Sequence, residues 1–312
     1  MSGVARKCGV GIAFGALLIS CVSCRQSQEE NEGKDAAIEK PKVLVVNYPL
    51  QYMAERIGGS LVDVQFPAPA DEDPAYWEPT VDEITLYQQA DVVLLNGAGY
   101  AGWTERVTLP ESRLRLTTRT VSDQFIETDE AVVHQHGPQG EHEHTGAAFT
   151  TWLDPEIAVQ QAREVHHALI DLLPNEASTL NANYDALKGD LLALDEQLAS
   201  LTAKGADVPL VFSHPVYQYL VRRYGLKSRD VHWESDAMPD EKAWEELQAM
   251  LAEHPAKWMV WEGEPLPDVV QRLKTLGVES VVFAPLGNRP AEGDYLSGMR
   301  ANIDRLRSVF QP

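Results

Sequence analysis

Four of the nine histidines crowd into one short tract, His134, His136, His142 and His144, within HQHGPQGEHEHTGAAFTTWLDP, residues 134–155. Imidazoles two residues apart can chelate a divalent cation, but without a rigid scaffold they do not select one. The tract reads as a loop that collects metal loosely. Other groups able to bind a cation stand alone along the chain: His214 in FSHPV, His232 in DVHWE, Glu262 and Glu264 in WEGEP, and Glu78 in AYWEPT. Imidazole and carboxylate can both ligate a divalent cation, but a tight site needs several of them converging. The remaining histidines have plainer readings. His166 and His167 flank the apolar face of a helix as surface residues, and His254 sits at a helix end, where the dipole favours it.

Such separated groups meet only if the fold collects them. VLVVN (43–47), LVDVQF and ADVVLLN read as strands, with a helix through PLQYMAERIGG and another opened by the capping box Thr80-Val81-Asp82-Glu83. From 208 the same grammar returns: VPLVFS, HPVYQYLVRRYG, SRDVHW, the helix DEKAWEELQAMLAEH, KWMVWE, VESVVFA, and a last helix carrying Leu296, Met299, Ile303, Leu306 and Phe310. Strands alternating with helices predict an α/β fold of two Rossmann-like lobes, each a parallel sheet with helices on its faces. Between them Asp154-Pro155-Glu156 caps one helix. After Pro174 a stripe of Leu180, Tyr184, Leu187, Leu191, Leu194, Leu198 and Leu201 predicts a long helix lying across both lobes as a rigid spacer. The expected parts are an N-terminal lobe at 42–153 with the His-rich loop 134–144, linking helices at 154–205, and a C-terminal lobe at 206–312.

Ligands in open α/β sheets bind beyond the C-terminal strand ends. Facing lobes would therefore bring Tyr48, the acidic loop 71–78, His214, residues 232–236, Glu262, Glu264 and Ala284 to one cleft. Aromatic residues in or near these loops, Tyr76, Trp77, Trp233 and Trp261, would equally suit an organic molecule or a metal chelate. Gly97-Ala98-Gly99-Tyr100-Ala101-Gly102 has the spacing of a dinucleotide-binding turn but follows the third strand, with Pro110 close behind, so it reads as a tight turn at the cleft edge. No organic cofactor is expected.

The N-terminus reads as a targeting segment. Arg6 and Lys7 precede CGVGIAFGALLIS, which is short for a membrane span and ends in Leu18-Ile19-Ser20-Cys21. Residues 1–20 are expected to be a lipoprotein signal peptide, with Cys21 lipidated (Cys24 being the alternative) and 21–41 a flexible tether. All three cysteines lie here, so the folded part has neither a disulfide framework nor a catalytic thiol. A net charge of −21 argues against nucleic acid as a partner.

Five segments in order resemble the solute-binding lipoproteins of zinc and manganese ABC transporters: DPAYWEPTVDEITLYQQADVVLLNGAGYAGW, the His-rich loop, TTWLDPEIA, FSHPVYQYLVRRYGL and APLGN before a terminal helix. The resemblance implies two lobes bridged by a long helix and a metal held between them by three histidines and a carboxylate. It also implies delivery to an ABC permease with its ATPase subunit, and an exported, lipid-anchored protein at the periplasmic or cell-surface face of a membrane. The implied ligand places fall at Ala75, Thr150, His214 and Ala284, so only His214 keeps a ligating side chain. Replacement donors for zinc or manganese are sought in Glu262, His232 and Glu78. A non-metal or metal-chelate ligand in the same cleft, or a periplasmic metal buffer without transport, are the alternatives. A metallohydrolase would need several convergent ligands and a general base, which the sequence does not supply, and an enzyme is not expected. A monomer is expected.

Overall fold

The computed structural model describes residues 39–135, 141–205 and 207–311. The signal peptide, the lipidation site at Cys21, the tether up to residue 38, and His136 lie outside the described residues.

The apolar, β-branched runs form the strands. β1 (Lys42–Val45) leads into α1 (Tyr48–Gly58), followed by β2 (Asp63–Gln65), α2 (Val81–Gln89), β3 (Val92–Leu95) and β4 (Leu114–Leu116). These four strands pair in parallel in the order β2-β1-β3-β4. α2 starts where its capping box puts it: the Thr80 hydroxyl accepts from the Glu83 backbone, and the Glu83 carboxylate accepts from the Thr80 backbone.

β5 (Glu127–Gln135) and β6 (Glu141–Ala147) then form an antiparallel ribbon in which His134 pairs with His142 and Val132 with His144. The tract expected as a loop at 134–144 is strand at 134–135 and 141–144. Its polar composition hid a period-2 pairing whose stabilising backbone hydrogen bonds leave no composition signal.

α3 (Pro155–Leu172) and α4 (Ala177–Thr202) follow. The second half runs β7 (Leu210–Phe212), α5 (Gln218–Tyr224), β8 (Ser228–Asp230), α6 (Glu241–Glu253), β9 (Trp258–Trp261), α7 (Pro267–Thr275), β10 (Glu279–Val282) and α8 (Tyr295–Phe310). Its sheet, also parallel, has the order β10-β9-β7-β8. Numbered from its own first strand, each sheet reads 2-1-3-4, so the two lobes share one topology. The order reverses between the first and third strands of each, and the crevice at such a switch point is where ligands bind.

α4 has 26 residues, roughly 39 Å at 1.5 Å per residue. Leu180, Leu187, Leu191, Leu194, Leu198 and Leu201 are buried along it, and it packs on α1 from the first lobe and on α5 and α8 from the second. Two arginine–aspartate pairs reinforce the packing. Arg56 of α1 reaches Asp190 at 2.8 Å. Arg223 of α5 grips Asp195 through two bonds of 3.0 and 2.6 Å, and Tyr224 donates to the same carboxylate.

The lobes also touch directly. The Tyr48 amide donates to the Gly287 carbonyl at 2.9 Å, the Trp152 indole to the Pro285 carbonyl at 2.7 Å, and the Asn288 amide to the carbonyls of Pro69 and Glu72. Among the described residues no helix is long and apolar enough to cross a membrane.

Leu194 of α4 is buried in the main core, so truncating it leaves a cavity there. Leu194→Ala is expected to cost about 2–5 kcal/mol in urea unfolding, whereas Leu192→Ala on the exposed face should stay within about 0.5 kcal/mol. Equal effects at the two positions would contradict the burial of this stripe.

Candidate functional site

Parallel register builds the site. Phe212 of β7 pairs with Val260 of β9 and with Asp230 of β8. Two residues further along each chain stand His214, Glu262 and His232, brought to the same level beyond three neighbouring strand ends. His214 and Glu262 occupy the switch point between the first and third strands of their sheet. In the first lobe the same offset from Val45 and Leu94 gives Asn47 and Asn96, whose side chains bond at 3.2 Å.

His214 is buried, and both its ring nitrogens face carboxylates. Nδ1 lies 2.9 Å from Glu262 Oε1 and Nε2 lies 3.7 Å from Glu234 Oε1. The His232 ring sits edge-on to it at 5.8 Å between centroids. Burial disfavours the imidazolium, but the hydrogen bond and charge of Glu262, with Glu234 and Asp73 behind it, outweigh burial and hold the His214 pKa above its ordinary value. Tyr76 feels the same carboxylates: burial first, then Asp73, Glu262 and Glu234, keep its phenol neutral far above neutral pH. The crevice is therefore a site of negative potential around one imidazole. A deprotonated His214 can give one nitrogen to a cation while the other N–H stays on a carboxylate, which fixes the ring.

A cavity of about 310 Å³ opens here, with Asp73, Tyr76, Thr150, His214, Glu262 and Ala284 in its walls. Thr150 is spoken for: its hydroxyl donates to the Val216 carbonyl. Ala284 is fixed through its backbone, donating to and accepting from the buried Asn302 side chain. Ala75 is buried, its amide donating to Asp73. Among the described residues no three His, Cys, Asp or Glu side chains are grouped to hold a metal ion by themselves.

Of the candidate donors, His214, Glu262 and His232 come together. Glu78 does not: its carboxylate pairs with Arg106 on the surface, because Pro79 and the helix start turn it away. Glu264 is exposed and is not among the residues lining the cavity. Tyr76 lines the cavity, but the three tryptophans belong to the core: Trp77 packs on Trp103, Trp233 on Trp244, and Trp261 is fully buried. An indole next to a strand end contributes more by filling the sheet–helix layer than by standing in a crevice.

His232 lies exposed in the loop after β8. His166 is not a surface residue; it is buried, stacked on Tyr184 and bonded to Asn181 at 2.7 Å, whereas His167 is exposed. His254 caps α6 and bonds the Leu210 carbonyl at 2.9 Å. The glycine-rich turn after β3 is a tight one, with positive φ at Gly97, Ala98, Gly99 and Ala101. Asp73 and Glu234 were visible only as members of acidic loops. Asn96, which joins Asn47, Thr151, Gln161 and the Phe149 carbonyl, carried no signal beyond its strand-end position.

A profile of the family described as zinc-uptake complex component A periplasmic, ZnuA, matches residues 43–309. The chain belongs to the ZnuA family. It is 23% identical to the zinc-binding lipoprotein AdcA of Streptococcus pneumoniae serotype 4 (strain TIGR4) over 92% of this chain and 58% of that one. It is also 23% identical to the high-affinity zinc uptake system protein ZnuA of Bacillus subtilis (strain 168), over 94% of each. The chain thus spans little more than half the length of its streptococcal relatives. Among solved structures, the metal-dependent lipoprotein YcdH of Bacillus subtilis superposes with a TM-score of 0.74 at 20% identity, over 87% of this chain and 100% of that one. Zn(II)-bound AdcA of Streptococcus pneumoniae superposes with 0.73 at 21%, over 88% and 58%. At such identities the superpositions establish the ZnuA-type fold, two lobes of parallel α/β sheet.

The His214–Glu262 pair has a pH signature. A raised folded-state pKa means the pair adds stability fully below the ordinary imidazole range near 6.5, and that contribution fades as pH rises through the folded value. In Glu262→Gln the largest upward influence is gone and burial remains, so an NMR titration should find the His214 pKa lower than in the parent. An unchanged value would show that Glu262 does not set it.

Proposed function

We propose that this chain is the extracytoplasmic solute-binding component of an ABC importer, capturing a divalent metal of the zinc class between its lobes and delivering it to a permease driven by an ATPase subunit. The observation that carries the reading is His214: a buried imidazole at a topological switch point, faced by Glu262, Glu234 and Asp73. Zinc-binding relatives in the same family support the choice of metal. A ligand set short of three protein donors argues for lower selectivity toward a bare ion than four convergent donors would give.

The lipoprotein signal at 1–20, lipidated Cys21 and a tether to 41 belong to the same proposal, holding a monomeric body near the permease. The His-rich ribbon, with His134, His142 and His144 in its strands, is a loose collector that raises the local concentration of cations. Because the metal must displace the His214 proton, affinity should rise with pH.

Titrating the mature protein with zinc and with manganese, followed by calorimetry, tests this. His214→Ala should weaken the cleft site on the order of tenfold or more, while deletion of 134–144 removes only weak, superstoichiometric binding. A tight equimolar zinc site indifferent to His214→Ala would refute the assignment.

A further inference from the structure

The cleft is built for more than a naked ion. Beside the His214 cavity lies a second one, of about 360 Å³, that shares Tyr76, Phe149, Thr150 and Val216 as walls and runs on to Gln218 and the end of the β5–β6 ribbon at Gly146 and Ala147. Each has a volume in the range of small-molecule sites, about 300–1,000 Å³, whereas a closed metal site needs room for little beyond its ligand atoms. The walls carry aromatic faces: Tyr76 and Tyr100 both meet Phe149 edge-on, at 6.2 and 5.3 Å between centroids.

The wall of the His214 cavity also holds a cation. Arg289 lies 4.4 Å over the Phe66 ring, donates to Gln51 and to the carbonyls of Phe66 and Ala68, and has Glu55 as the carboxylate acting on it from nearby. A guanidinium carries five N–H donors, so some remain for an anionic group.

These features meet a shortfall on the metal side. At the three positions where the family's donors are implied stand Ala75, Thr150 and Ala284. Thr150 is committed to Val216, and Ala284 is held by Asn302. With no group of three protein donors around His214 among the described residues, an ion captured there has coordination positions left for donors off the protein. We infer that the cargo enters as a chelate: a divalent metal already bound by a small organic molecule with carboxylate donors. His214 and the acidic residues around it take the open side of the metal, the aromatic walls take the organic part, and Arg289 faces a carboxylate. This rests on the metal-capture reading above and names the form in which the metal arrives.

The probes are zinc alone, zinc premixed with L-histidine, zinc premixed with citrate, and each organic molecule alone. They are read by calorimetry and native mass spectrometry of the mature protein. The inference expects a protein–zinc–organic complex of 1:1:1 stoichiometry, bound at least about tenfold more tightly than zinc alone, a gap of about 1.4 kcal/mol.

A gain-of-function variant guards against misfolding as an explanation. Thr150→His combined with Ala284→Glu should tighten zinc alone and erase the advantage of the chelates. Zinc alone binding as tightly as either chelate would overturn the inference while leaving metal capture intact. An organic molecule binding equally well without metal would overturn it in favour of an organic solute. If no probe binds, metal capture falls with it.

Discussion

The contact between His214 and Glu262 exists only because β7 and β9 are parallel neighbours in register. Each residue stands two positions beyond the last paired level, and the sheet brings them to 2.9 Å. Slide either strand by one residue and one side chain turns to the opposite face. Register in turn depends on strands buried on both faces: Leu210, Val211 and Phe212 pack in β7, and Met259, Val260 and Trp261 in β9. A short, fully buried parallel strand cannot slip without exposing its neighbours. The chemistry of the cleft is thus a consequence of core packing beneath it.

The second constraint is the separation of the lobes. α4 buries one leucine stripe while being tied to the first lobe through Arg56–Asp190 and to the second through Arg223–Asp195. The loop after β10 adds the bonds from Tyr48, Trp152 and Asn288 across the gap. Leu286 in that loop takes a positive φ of 60°, a conformation that costs a non-glycine residue free energy, and packs on Gly298 of α8. A body braced this way admits small closing motions, and the width of its cleft is largely preset.

Most of the frame was legible in the sequence because it is written in local codes. Capping residues Thr80 and Asp154 mark helix starts, valine-rich runs mark strands, and the spacing of Leu180 through Leu201 marks the spacer helix. The ribbon at 127–147 was not, since its pairing is non-local and its residues polar. Site membership was legible in part. His214, His232 and Glu262 follow strand ends and could be nominated, yet nothing in the chain says that Glu78 prefers Arg106 or that Trp233 and Trp261 face inward. Asp73 and Glu234 act on His214 through loops whose course no propensity specifies. Offsets from paired strand levels would have ranked them better than residue type alone.

The proposed cleft holds its metal at His214 with further donors contributed from outside the chain. Zinc K-edge absorption spectroscopy of the mature protein loaded with zinc and L-histidine addresses it directly. The account predicts one protein imidazole and protein carboxylate oxygen in the first shell, with the remaining donors lost when the amino acid is dialysed away. It also predicts loss of the protein imidazole in His214→Ala. A full first shell of protein ligands, unchanged by removal of the amino acid, would contradict it.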